Sequence, residues 1–407
     1  MKIIDGGVTA PKGFQAAGLN AGVKNWTKKD MAMVYSEVPC SAAGVFTTNV
    51  VKAAPVKWDK ELVDHSEYLQ AVVVNSGIAN ACTGQEGLDY CRKTAEKAAD
   101  VLGIPASAVA VASTGVIGQQ LPMDKICAGV EALAPALGAD RAHAALAAEA
   151  IMTTDTKPKE VAYEFTVGGK RAMIAGMCKG SGMIHPNMCT MLCFVTTDAA
   201  ISHPMLQKAL SADVKDTFNM ISVDGDTSTN DTVLVLANGK AGNPEITEDG
   251  EDYQTFCAAL HEVMTQLSKK IAGDGEGCTC LFEAHVIGAA DKEQARTIAK
   301  SVICSNLTKA AIFGHDANWG RILCAMGYSG AQFDPERVDI WLESSAGKLK
   351  IVENGVSTGY SEEFATEILS QEEVRAIMDL KMGSEEAIAW GCDLTYEYVK
   401  INGDYRS

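Results

Sequence analysis

Short apolar runs that give way to polar, glycine-bearing turns limit the folds open to this chain more than any other feature. Ala71–Val74 runs into Asn75-Ser76-Gly77, and Val109–Ala112 runs into Ser113-Thr114-Gly115. Met191–Val195, Val233–Ala237 and Phe282–Ile287 are runs of the same kind. Their length and their turn-forming borders predict buried strands. Helical spacing fills the gaps. Leu88, Cys91, Ala95, Ala98, Ala99 and Leu102 recur every three or four residues and stop at Gly103; Tyr253, Phe256, Leu260, Val263, Met264, Leu267 and Ile271 do so up to Gly273. The runs 338–342 and 349–353 predict a hairpin through Ser344-Ser345-Ala346-Gly347, and the alanine-rich stretch 128–150 a helical segment broken at Pro135. Strands and helices alternate too irregularly for a βαβ barrel, so a layered α/β sandwich is expected. At 407 residues the chain is longer than one core can serve, which implies two lobes or one large layered domain.

Charge and cysteine usage narrow the function. A net charge of −17 speaks against nucleic acid and acidic membranes as partners, since both select a basic face. No run approaches the roughly 20 apolar residues that cross a bilayer, and the N-terminus lacks the apolar core of a secretion signal. Thirteen scattered cysteines fit reduced thiols in a cytoplasmic protein better than a disulfide framework. The close pairs Cys278-x-Cys280 and Cys189-x3-Cys193 have no histidine at ligand spacing, so no metal is expected. Asp224-x-Asp226-x-Ser228-x-Asn230 imitates a calcium loop, but Thr229 stands at its sixth position and Val235 at its twelfth, where glycine and glutamate are needed.

Chemistry concentrates in Lys179-Gly180-Ser181-Gly182-Met183-Ile184-His185-Pro186-Asn187-Met188-Cys189-Thr190-Met191-Leu192, a glycine-rich segment running straight into an apolar strand that begins at Thr190. A threonine at that junction suits self-cleavage: its hydroxyl attacks the Cys189 carbonyl, the acyl group shifts from nitrogen to oxygen, and water releases the ester. The new α-amine, with a pKa near 7.7–8.0, can then serve as base for the same hydroxyl.

That segment is similar to the cleavage motif of the bifunctional glutamate N-acetyltransferase/ornithine acetyltransferase family. The resemblance covers essentially the whole chain, through Val8-Thr9-Ala10-Pro11-Lys12-Gly13-Phe14, Ala43-Gly44-Val45-Phe46-Thr47-Thr48-Asn49, Asn75-Ser76-Gly77-Ile78-Ala79-Asn80-Ala81, Asp316-Ala317-Asn318-Trp319-Gly320-Arg321 and Ile401-Asn402-Gly403-Asp404-Tyr405-Arg406-Ser407. Three departures stand out. Cys189 replaces the usual alanine before the nucleophile, Ala317 a frequent proline, and Ala310 or Ala311 a frequent threonine.

The resemblance implies an αββα sandwich of the DmpA/ArgJ-like type, self-cleaved into interleaved chains 1–189 and 190–407 that pair as an α2β2 heterotetramer. It implies acetyl transfer from N2-acetylornithine to L-glutamate in arginine biosynthesis, through an acetyl ester on Thr190 and with no cofactor. Acetyl-CoA is a co-substrate in some members. Thr114 and Gly115 match the oxyanion-hole pair. Thr153, Lys179, Thr190, Glu276, Asn402 and Ser407 match substrate-binding positions, with Thr154 and Thr156 as alternatives to Thr153. Lys179 would hold a substrate carboxylate and Glu276 the ammonium end of ornithine. Two rival readings stand beside it: a self-processing amidase or aminopeptidase, which shares the nucleophile logic but hands the acyl group to water and against which the Lys179, Glu276 and C-terminal matches argue, and an uncleaved, inactive relative that binds amino acids.

Overall fold

The computed structural model describes residues 1–24, 27–185 and 191–403. They form two compact units. The first is built from the chain up to Gly180, a stretch ending at Lys215, and Thr227–Leu267; the second from Ser181–His185, Asp216–Asp226 and the chain from Ser268 onward.

The strands of the first unit are β1 (Lys2–Ile4), β2 (Phe14–Leu19), β3 (Met31–Phe46), β4 (Leu69–Ile78), β5 (Val109–Val116), β6 (Lys159–Val167), β7 (Lys170–Lys179), β8 (Leu192–Thr197) and β9 (Thr232–Ala237). Its helices are α1 (Ala54–His65), α2 (Gly84–Leu102), α3 (Met123–Leu133), α4 (Arg141–Ala150), α5 (His203–Asp213) and α6 (Glu251–Ala272), the last reaching beyond Leu267. The long strand β3 turns the structure from one sheet into a second. Met31–Tyr35 pairs with β2 and β4, the register breaks before Cys40, and Ser41–Phe46 pairs with β9. One sheet is therefore β2-β3-β4-β5, and the other runs from β3 through β9, β8, β7 and β6 to β1.

The apolar runs are unbroken because their strands are covered on both faces. Ala32, Val34, Val72, Val74, Ala110 and Ala112 share an inner core with Met177, Leu192, Phe194, Leu234, Leu236 and the alanines of α4. The alternate residues Met31, Met33, Ala71, Val73, Val109 and Val111 pack outward with Ala95 and Ala98 of α2 and Ile126, Val130 and Leu133 of α3. On the other sheet α6 supplies the outer layer. A Cβ on Gly176 would lie 2.7 Å from Leu267 and 3.2 Å from Val263, so helix and strand approach closely there. Phe165 and Phe256 meet edge to face at 6.4 Å. The layers are helix, sheet, sheet, helix: the expected αββα sandwich.

The second unit has a single six-stranded sheet of β10 (Leu281–Ala289), β11 (Asp339–Ser344), β12 (Gly347–Glu353), β13 (Val356–Ser357), β14 (Glu373–Asp379) and β15 (Glu385–Cys392), ordered β13-β12-β11-β14-β10-β15. Its helices are α7 (Lys292–Cys304), α8 (Asn306–Phe313), α9 (Trp319–Gly327), α10 (Glu362–Leu369) and α11 (Tyr396–Gly403). Helix α7 lies on β10 and β15, burying Ala295, Ile298, Ala299, Val302 and Ile303.

Three local expectations change. The hairpin strands run on to Ser344 and from Gly347, leaving only Ser345-Ala346 as the turn. The alanine-rich stretch is two helices, α3 and α4, since the proline-bearing turn Ala134–Ala136 ends the first and Asp140 caps the second by accepting the His143 N–H. Strand β8 begins at Leu192 rather than Thr190; Thr190 lies outside the described residues, and Met191 precedes the ladder.

Candidate active site

Strands β4 and β5 run parallel and end together, with Ser76 opposite Thr114 and Gly77 opposite Gly115. Gly115 has φ +129° and Gly77 φ +101°, conformations that favour glycine. A Cβ on Gly115 would lie 2.2 Å from the Gly77 carbonyl carbon. Only two bare backbones can approach so closely, so this turn accepts no side chain.

Lys179 closes β7 and is buried. Its Nζ donates to the Thr114 hydroxyl at 3.4 Å and lies 4.0 Å from the Asp155 carboxylate. Asp155 is also buried and organises its surroundings. It accepts from Lys159 Nζ at 2.6 Å, from the Gly180 N–H at 2.7 Å and from the Thr153 N–H at 3.0 Å. Burial pushes its pKa up, but the Lys179 and Lys159 charges, with the hydrogen bonds from Lys159 and Gly180, outweigh burial and hold the carboxyl well below its usual range. Of the three nearby threonines, Thr153 and Thr154 are half-buried and Thr156 is exposed. The Thr153 backbone is tied directly to Lys179's partner.

The glycine-rich motif is divided between the units. After Gly180, the Ser181 carbonyl accepts from the Glu276 N–H at 2.8 Å, and the Met183 and Ile184 N–H groups donate to Asp224 at 2.6 and 2.9 Å. The apparent calcium loop thus has an observed role: Asp224 fixes the backbone of the motif. Burial and the Lys300 charge bring His185 down to about 4, so at neutral pH it carries no proton charge.

Glu276 and Asn402 meet in the second unit, where Asn402 Nδ2 donates to Glu276 Oε2 at 2.7 Å from the end of α11. Around Glu276 the turn is built from glycines under contact. A Cβ on Gly182 would strike the Glu276 carboxylate at 2.4 Å, one on Gly275 would lie 2.8 Å from Cys392 Sγ, and one on Gly277, at φ +70°, would meet the Tyr398 backbone at 2.8 Å. Asp393 accepts from Thr279 and Cys280, and the Thr395 hydroxyl donates to the Gly277 carbonyl at 2.7 Å. Gly275 and Gly277 of Gly273-Asp274-Gly275-Glu276-Gly277 are therefore packing requirements of the acid's cradle.

Of the sequence candidates, the first unit brings Thr114, Gly115, Thr153 and Lys179 into two linked clusters, and the second joins Glu276 to Asn402. Cys189, Thr190 and Ser407 lie outside the described residues. The chain that follows Thr190 is described from Met191 onward: Lys179 is the register partner of Leu192, and Thr232 N–H donates to the Met191 carbonyl at 2.9 Å. Sequence reasoning missed Asp155. It stood in plain view between threonines, but nothing in a single sequence shows that an aspartate is buried against two lysines.

Fold and site together define an αββα-sandwich enzyme. A model of the ArgJ family matches residues 15–407, and the chain belongs to that family. It is 55% identical over 409 aligned residues to the arginine biosynthesis bifunctional protein ArgJ of Symbiobacterium thermophilum, with all of both chains covered. To the protein of the same name from Thermotoga neapolitana it is 52% identical, over 98% of this chain and 99% of the relative. The crystal structure of the Bacillus halodurans arginine biosynthesis bifunctional protein is similar at 48% identity and a TM-score of 0.50, over 53% of this chain and 99% of that one.

Proposed function

We propose that the chain cleaves itself between Cys189 and Thr190 and then transfers acetyl groups from N2-acetylornithine to L-glutamate in arginine biosynthesis. The Thr190 hydroxyl attacks the acetyl carbonyl while its own α-amine takes the proton. Thr114 and Gly115 hold the oxyanion, a contribution typically worth about 3–4 kcal/mol per donor. Ornithine leaves with a proton on its amine, and the glutamate amine attacks the acetyl-Thr190 ester to give N-acetylglutamate. Lys179 holds the substrate α-carboxylate and Glu276 the side-chain ammonium of ornithine. Thr153, Asn402 and Ser407 complete the contacts. The cycle as proposed needs no cofactor; acetyl-CoA, a co-substrate in some members of the family, would acylate the same threonine.

The observation that carries this reading is the placing of Lys179. It is a buried ammonium touching Thr114 and paired in register with the strand that starts two residues after Thr190. Strand order supports cleavage without dissociation: β8 and β9, which follow residue 190, lie between β7 and β3, which precede it. The fragments 1–189 and 190–407 would share one sheet, and we propose that they pair as α2β2 in the cytoplasm. The solved Bacillus halodurans chain is about half as long as this one, as a cleavage product would be.

The test is formation of N-acetylglutamate from N2-acetylornithine by purified protein, with and without glutamate. Transfer that requires glutamate supports the reading. Release of free acetate whether or not glutamate is present would move the assignment to an amidase, and absence of any turnover to a binding protein.

A further inference from the structure

Asn230, the last residue of the calcium-loop imitation, is buried two residues ahead of β9. Its Nδ2 donates to the Ala79 carbonyl at 2.5 Å and to the Ser113 carbonyl at 2.8 Å, and its Oδ1 accepts from the Thr229 hydroxyl at 2.6 Å. A carbonyl oxygen can only accept, so the NH2 end of the amide must face those two groups. Both acceptors belong to the turn that carries Thr114 and Gly115: Ala79 directly follows β4, and Ser113 precedes Thr114 on β5. The Ser113 carbonyl and the Thr114 N–H lie in one planar peptide, so a bond to the first fixes the plane from which Thr114 projects. The same segment reaches the chain beyond Thr190. The Thr232 hydroxyl donates to the Asn230 carbonyl at 3.0 Å, and the Thr232 N–H to the Met191 carbonyl at 2.9 Å.

We propose that Asn230 is a positioning residue for acetyl transfer, its amide setting where the Thr114–Gly115 turn stands relative to the chain that leaves Thr190. The role rests on that turn being the oxyanion site assigned above. Oxyanion donors stabilise a developing charge only when they are in place before it forms. Gly77 and Gly115 have no side chains with which to hold each other, and their backbones are already in contact, so a clamp has to come from other residues. Asn75 supplies one within the two strands: it accepts from the Ser113 hydroxyl at 2.6 Å and donates to the Ile78 carbonyl at 2.9 Å. That ties the strands to each other. Asn230 ties both to the segment that holds Met191. The chemistry also selects the residue. Aspartate has the same size but would set an acceptor against two acceptors, and a serine hydroxyl has one hydrogen for two carbonyls.

The experiment compares wild type, Asn230→Asp, Thr114→Val and the double variant in acetyl transfer, with rates expressed per cleaved chain from the intact mass. N230D should lower kcat by about 10–100-fold, up to the scale of a reacting group displaced by about 1 Å. KM for N2-acetylornithine should stay within about twofold, the pattern of an interaction used in the transition state. In the T114V background the same change should cost no more than about threefold, because both substitutions disable one unit. A loss that falls on KM, or one that multiplies in full with T114V, would overturn the role while wild-type transfer leaves the functional reading standing. A wild type that transfers no acetyl group sinks that reading, and this role falls with it. Should N230D lose its cooperative melt or stay uncut, Thr229→Val decides, since it releases the amide oxygen and keeps both carbonyl bonds. A fall in kcat of about three- to tenfold at unchanged KM, the worth of one neutral hydrogen bond, supports the role, and a wild-type kcat contradicts it.

Discussion

The two units hold their candidate residues by opposite means. In the first, Lys179 is fixed by charge: Asp155 draws in Lys159, Lys179 and two backbone N–H groups, all out of water. In the second, Glu276 is fixed by shape. Gly182 and Gly275 pack around its turn, its own N–H is spent on Ser181, and among the described residues a single neutral side chain, Asn402, donates to its carboxylate. A buried ion network is costly to break, because the abandoned charge has no water to turn to. A cradle of glycines tolerates a change in charge but resists any added atom. The two kinds of site should therefore fail differently.

The largest expected effect is on stability. Asp155→Ala leaves two buried ammonium groups without their shared acid and should cost about 3–5 kcal/mol in urea unfolding. Asp155's pKa is depressed on folding, so its stabilisation is fully present above the unfolded value near 3.9 and is lost as pH falls through the lower folded value. The acid limb of the wild-type stability curve should flatten in the variant. An unchanged limb would mean that charge does not organise this cluster.

Next comes Gly115→Ala, which puts a methyl group against Gly77 at φ +129°. Acetyl transfer should fall by about 10²–10³-fold, the range for losing an oxyanion donor. Near-normal turnover would exclude this turn from the chemistry.

Smaller effects belong to the second unit. Glu276→Gln keeps the shape and removes the charge, so the fold should stay intact while KM for N2-acetylornithine rises about 10–100-fold, as expected for losing a charged hydrogen bond. Asn402→Ala should cost only about 1 kcal/mol, a few-fold in the same KM. A large loss of stability in Glu276→Gln would erase the contrast between the units.

Much of this was legible in the sequence. Val72-Val73-Val74 announced a strand buried on both faces, and Gly103 closed its helix in the left-handed conformation with its N–H on Ala99. Thr114, Gly115, Lys179, Glu276 and Asn402 could be named before any contact was known, through the family resemblance. What stayed hidden depends on long-range partners. β3 serves two sheets: its ladder to β4 breaks between Tyr35 and Cys40, where Pro39 has no N–H to donate, and Ser41–Phe46 then pair with β9. Asp155 drew no reading of its own, and Asp224 read only as part of an imitation calcium loop. Lys179 and the N–H group of Gly180 give the first its role, and the N–H groups of Met183 and Ile184 the second, all distant in the chain.

The central claim is that Thr190 is both the cleavage point and the acetyl carrier. Its most direct test is the intact mass of wild type and Thr190→Ala after incubation with N2-acetylornithine and no glutamate. The account requires two wild-type fragments divided between Cys189 and Thr190, the second heavier by one acetyl group, and a single unmodified chain in the variant. An uncut wild-type chain, or fragments that gain no acetyl group, would contradict it.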